Sequence, residues 1–207
     1  MLVVYKEGQQ RLIEFFLGMV GGSLIEWIAV ACGLINVGLI IRRSIWNYPF
    51  GLVMVILYFF IFWEYKLYSE SILQVYFFII QFYGLWIWFN GRAPDGRVMV
   101  APLSPKIFIY YLAITACAWM GISFLMDTYT DAAAPVWDAA VAALSVTAQF
   151  LMSRRHIESW FLWIAVDILA IGLFYTRDLA PTSALYFIFL VLAILGYFNW
   201  RHAKKDV

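Results

Sequence analysis

Trp160, Trp163 and Asp167 follow one another at spacings of three and four residues, which puts two indoles and a carboxylate on one face of a helix. A Trp face attracts a flat organic cation by about 0.5 to 2 kcal/mol, and a carboxylate neutralises its charge. Gln74, Gln81 and Trp88 are each seven residues apart and form a second stripe with two primary amides. Ser145 and Gln149, four apart, form a third. With Asn47, these amides supply both donors and acceptors for a carboxamide or for sugar hydroxyls. Asp167 is the most demanding member of the set. Inside a membrane helix its ionised form costs roughly 2.5 to 3.5 kcal/mol, and no Lys or Arg is expected at its depth.

A membrane is what must hold these groups. The 207 residues are 65% hydrophobic, 20% aromatic and only 13% charged, far from soluble globular usage. Apolar runs of about 20 residues predict seven spans near 22–41, 44–63, 70–89, 104–126, 133–152, 158–176 and 181–200. Pro49, Pro105, Pro135 and Pro181 each fall in or near a first helical turn, where a missing backbone donor costs little. The segment QQRLIEFFLGMV is too short to span and is expected to lie at the interface as an amphipathic helix. No signal-sequence cleavage site is evident, so the first span is expected to be retained. Cys32 and Cys117 lie in apolar runs and are expected to pack, without a disulfide.

Ten of the 14 basic residues fall on one side of this topology: Arg42, Arg43, Arg92, Arg97, Lys106, Arg154, Arg155, Arg201, Lys204 and Lys205. Lys6, Arg11, Lys66 and Arg177 fall on the other. By the positive-inside rule the N-terminus is expected outside and the C-terminus in the cytoplasm.

Displacing the chain by 112 positions without a gap superposes 42–90 on 154–202 with 12 identities in 49 positions. Arg42 and Arg43 meet Arg154 and Arg155, Gly84 meets Gly196, and Trp88 meets Trp200. Apolar composition alone would give roughly five, so an internal repeat is indicated. The expected fold is an all-α integral membrane protein. In this single transmembrane domain, 1–21 is the interfacial segment, 22–90 the first three-helix repeat and 91–132 the connector with helix four. Residues 133–201 form the second repeat and 202–207 the tail. A single connecting helix makes the repeats parallel, and such transporters place their site between the halves. The repeat sets Gly51 opposite Trp163 and Val55 opposite Asp167, so the ring and the charge belong to the second half alone.

The segments IRRSIWNYPFGLVMVILYFF, KLYSESILQVYFFIIQFYGLWIW and WDAAVAALSVTAQFLMSRRHIESWFLWIAVD resemble, in order, the signature segments of the PnuC family of vitamin transporters. The resemblance implies a 3+1+3 helix architecture, often trimeric, in the bacterial inner membrane. It implies facilitated diffusion of nicotinamide riboside, trapped by a cytoplasmic kinase, with thiamine, riboflavin or deoxynucleosides carried by relatives. It carries over Trp46 and Asn47 from the WNYP motif, Gln74 and Gln81 around the third span, and Trp160 and Trp163 from the WxxW motif. Asp167 departs from members that have Asn after that motif. Nicotinamide riboside carries a pyridinium and thiamine a thiazolium, so stacking on Trp163 and charge balance by Asp167 suit both.

Other residues carry blander expectations. Trp86, Trp88 and Trp200, near span ends, are expected as interfacial anchors. Glu26 and Asp138, related by the repeat, suit helix entry or gating. His156 and His202 lie in basic edges with no metal-ligand cluster. No GxxxxGK[ST] loop occurs, so ATP drive by that route is excluded. A retinal-type receptor needs a lysine deep in the last span, and 181–200 has none. No Ser/His or metal constellation suggests an enzyme within the spans, and no cofactor or nucleic-acid partner is expected.

Overall fold

Lipid offers no partner for backbone N–H and C=O groups, so each long apolar run must close its hydrogen bonds within itself as a helix. The structure, a computed structural model, describes residues 24–64, 68–130, 134–176 and 180–203. Seven helices form there: α1 (Leu24–Ile41), α2 (Asn47–Glu64), α3 (Tyr68–Asn90), α4 (Pro105–Tyr129), α5 (Pro135–Ser153), α6 (Ser159–Thr176) and α7 (Ala180–Ala203). All seven are long and apolar enough to cross a membrane. The expected interfacial helix at 1–21 and the tail beyond residue 203 lie outside the described residues. Pro105 and Pro135 open α4 and α5, and Ser104 caps α4 by accepting a hydrogen bond from the Ile107 amide.

Six of the helices close a ring. The packed neighbours are α1 with α2, α2 with α3, α3 with α5, α5 with α6, α6 with α7, and α7 with α1. Advancing each helix of the first half by one repeat turns the α3–α5 seam into the α7–α1 seam, so the halves meet twice in equivalent ways. Helix α4 stands outside this ring and packs on α5, tied by a 2.7 Å Thr115–Thr147 hydroxyl pair and a Trp119 indole donating to the Val136 carbonyl.

Equivalent residues do equivalent work in both halves. At one end, Trp88 donates to the Met152 carbonyl at 3.2 Å, and Trp200, one repeat later, donates to the Ile40 carbonyl at 3.0 Å. Each bond crosses from one half to the other. Tyr48 sits edge-on to Trp88, and its counterpart Trp160 sits edge-on to Trp200, with centroids 5.6 and 5.4 Å apart. Both contacts need a missing Cβ, at Gly84 beside Tyr48 and at Gly196 beside the Trp160 ring. At the other end, Ser71 donates to the Phe59 carbonyl and Ser183 to the Ile171 carbonyl. Trp88 and Trp200 are 1% and 0% exposed, so the expectation of interfacial anchors is corrected for both: they are seam residues. Trp86, at 63% exposure, does face outward.

The helix pairs α1–α2 and α5–α6 turn through the repeated Arg–Arg dipeptide, with Arg43 and Arg155 both left-handed at φ 56° and 66°. The connector 91–104 reaches both turns: the Val98 amide donates to the Arg43 carbonyl and the Ala101 amide to the Arg155 carbonyl. Both turns therefore lie at one end, and the two halves run parallel. Arg155 donates to the carbonyls of Gly91 and Met99, and burial pulls its guanidinium below the ordinary range. Burial likewise pushes His156 down, beside the Ala101 carbonyl.

The seam bonds give a first expected result. A buried hydrogen bond contributes about 1 kcal/mol net. Trp88→Phe and Trp200→Phe should each lower the midpoint of thermal unfolding by a few degrees and by similar amounts. Unequal losses would contradict the symmetry of the seams.

Candidate functional site

Polar groups buried in the ring need a use, because hydrocarbon penalises them. In the first half, Asn36 on α1 and Gln81 on α3 are 5% and 4% exposed. Both amides converge on the Cα of Gly51 on α2, where an added Cβ would overlap the Asn36 Nδ2 and Gln81 Nε2 atoms. Gly51 thus brings two primary amides from flanking helices together. Gln74, one side of α3 with Gln81, is also buried.

The second half answers with different chemistry at the equivalent positions. Gly51 becomes Trp163, Val55 becomes Asp167, and Gln74 becomes Tyr186, while Asn36 and Gln81 become Ala148 and Ala193. Ala148 and Ala193 are buried and small, which leaves room for the larger groups of their own half. Trp163 is half-buried and lies 6.5 Å, centroid to centroid, from Phe77, which sits on α3 between Gln74 and Gln81. The indole of one half therefore approaches the amide-bearing helix of the other.

Asp167 is 4% exposed and is the ninth of the 18 residues of α6, at mid-span as expected. Among the described residues it accepts no hydrogen bond and forms no ion pair. Tyr58 and Asp167 both lie in the neighbourhood of Tyr186.

The remaining expected residues separate. Trp160 faces the seam cluster with Trp88, Trp200 and Tyr48, its Nε1 buried without a partner. Asn47 is buried, but its amide donates to the Ser44 carbonyl at 2.7 Å and closes the α1–α2 turn. Gln149 is half-buried on α5. Trp46 is 69% exposed and lines an outer groove between α2 and α3, away from the buried amides. Ser145 is buried at the position equivalent to Gly33. Asn36 was not anticipated; its signal is an isolated amide within the apolar run GLINVGLI of α1.

These features agree with what the chain is similar to. A model of the nicotinamide mononucleotide transporter family matches residues 23–202. The nicotinamide riboside transporter PnuC of Escherichia coli strain K12 is 26% identical over 225 aligned residues, covering 96% of this chain and 94% of that protein. PnuC of Neisseria mucosa is 29% identical, covering 88% of this chain and 74% of the relative. The riboflavin/roseoflavin transporter RibM of Streptomyces davaonensis is 26% identical over 84% of this chain and 83% of its own length. A crystal structure of the vitamin B3 transporter PnuC superposes with a TM-score of 0.78 at 26% identity, covering 96% of this chain and 88% of that one. Seven helices, a parallel repeat and a match across nearly every described residue lead to one conclusion: the chain belongs to the nicotinamide mononucleotide transporter family, the PnuC family that its motifs resemble.

Proposed function

We propose that this protein carries nicotinamide riboside across the bacterial inner membrane by facilitated diffusion. The observation that carries the reading is the division of chemistry between the halves: Asn36 and Gln81 meet over Gly51, and Trp163 and Asp167 occupy the equivalent part of the second half. A pyridinium stacks on Trp163 and is balanced by Asp167, and the substrate carboxamide exchanges hydrogen bonds with the amide pair. Gln74 and Gln149 are the further candidates for ribose hydroxyls. Trp160 acts from the seam, by supporting Trp163 one turn away. Asn47 and Trp46 act through the α1–α2 turn and the outer surface, without touching substrate.

The basic-residue bias supports an outside N-terminus and a cytoplasmic C-terminus. Transport proceeds by rocking of the halves about the site, and the two Trp-to-carbonyl seams, both at one end, are contacts that must loosen together when that end opens. Net flux then depends on a cytoplasmic kinase that consumes the substrate. The protein itself is a carrier and no enzyme, and the family resemblance supports a trimer. Thiamine is the rival substrate on the strength of Trp163 and Asp167 alone, but it lacks a carboxamide for the amide pair.

Proteoliposomes loaded with pure protein test this reading. Labelled nicotinamide riboside should equilibrate, without accumulating, at a rate unaffected by a proton or sodium gradient. Accumulation driven by either gradient, or uptake of thiamine in its place, would contradict the proposal.

A further inference from the structure

Trp46 opens the WNYP motif that leads into α2, yet it lies outside the ring. With Trp86 it flanks a groove of about 610 Å³ between α2 and α3 that opens on the outer face, at the Arg–Arg end of the molecule. Phe82, Leu85, Phe89 and Asn90 line it from α3, and Pro49 from α2. The equivalent cleft of the second half is filled. There Pro49 becomes Phe161 and Leu85 becomes Tyr197, and these two rings pack with centroids 4.6 Å apart. Trp46 becomes Glu158, whose Oε2 accepts a hydrogen bond from the Leu103 amide of the connector. A two-fold scaffold thus leaves one of two equivalent clefts open.

A cation stands against one of the residues that line the open groove. The Arg92 guanidinium stacks 4.0 Å from the centre of the Phe89 ring and donates from Nε to the Phe89 carbonyl. A guanidinium has five donors, so its terminal N–H groups remain for an anion. The ion pair given by the structure at this end joins Arg97 to Asp95 and leaves Arg92 aside. Exposed Arg42 lies in the turn that leads into Ile45 and Trp46. An apolar slot that opens to lipid, edged by two indoles and ending at a cation, complements an acyl chain attached to a phosphate. Basic pockets at helix ends on the cytoplasmic side are recognised sites for anionic headgroups.

We infer that the groove between α2 and α3 is a binding site for one anionic phospholipid, its acyl chain between Trp46 and Trp86 and its phosphate on Arg92. The site depends on the absence of aromatic rings at Pro49 and Leu85, and it has no counterpart in the second half.

Thermal unfolding in detergent, with added phosphatidylglycerol or phosphatidylcholine, tests this on the full-length protein. Phosphatidylglycerol should raise the midpoint by about 2–4 °C more than phosphatidylcholine. Arg92→Gln should abolish that difference and leave substrate uptake unchanged. Leu85→Tyr, which supplies the ring present in the second half, should abolish it as well. If Leu85→Tyr fails to fold, quenching of tryptophan fluorescence by brominated phosphatidylglycerol serves instead, and Arg92→Gln should weaken it about tenfold in lipid concentration. Equal stabilisation by both lipids, an unchanged difference in Arg92→Gln, or protection of Trp46 by a second copy of the chain in lipid-free detergent would overturn the inference.

Discussion

Gly51→Ala is expected to weaken binding of nicotinamide riboside by about ten- to a hundredfold while the protein still folds. The added methyl would overlap the ends of Asn36 and Gln81, two amide tips that swing away without moving their helices. Displacing packed groups in this way costs about 1–3 kcal/mol, and each 1.4 kcal/mol is a factor of ten in affinity. Within a helix, Ala is otherwise favoured over Gly by about 1 kcal/mol, which offsets part of the folding penalty. Calorimetric binding and a melting curve on the same sample separate the two effects. A variant that melts like the parent and binds with undiminished affinity would show that the amide pair does not touch substrate.

Asp167→Asn should weaken the cationic substrate by about ten- to a hundredfold, as expected for an interaction of roughly 1.5–3 kcal/mol with a charged group. Asn preserves shape and hydrogen-bonding capacity, so packing is retained. The dihydro form of nicotinamide riboside has no pyridinium charge and serves as the control. The parent should prefer the cation, and Asp167→Asn should lose that preference while binding the neutral form as before. Equal losses for both forms would make Asp167 a structural residue.

Much of this was legible because lipid simplifies the chain's choices. Spans expected from apolar runs fall close to the helices observed, with α7 extending to Ala203 past the expected residue 200. There Trp200 is buried in the seam, so the helix continues beyond the apolar run. The parallel halves were legible from the ungapped 112-residue offset, and its matched residues recur as matched contacts, such as Trp88 with Met152 and Trp200 with Ile40. That identity alone does not separate a seam indole from a belt indole, since parallel repeats put equivalent residues at the same depth; burial against the other half does.

Side-chain partnerships were less legible. Asn36, Gly51 and Gln81 lie 15 and 30 residues apart on three helices, and only the packing of α1, α2 and α3 brings them together. Trp46 and Asn47 are neighbours in sequence, but successive helical residues point about 100° apart, so one is buried and the other exposed. Trp160 shares a stripe with Trp163 and Asp167, yet the gap at Gly196 draws its ring into the seam. Helical spacing assigns a face; the neighbouring helix decides what that face meets.

The central claim is that a two-fold ring holds an asymmetric site, with amides from one half and a ring and a carboxylate from the other. A structure of the protein with nicotinamide riboside bound tests it most directly. The pyridinium should lie against Trp163 near Asp167, and the carboxamide within hydrogen-bond distance of Asn36 or Gln81. A ligand seated elsewhere, or touching one half alone, would contradict it.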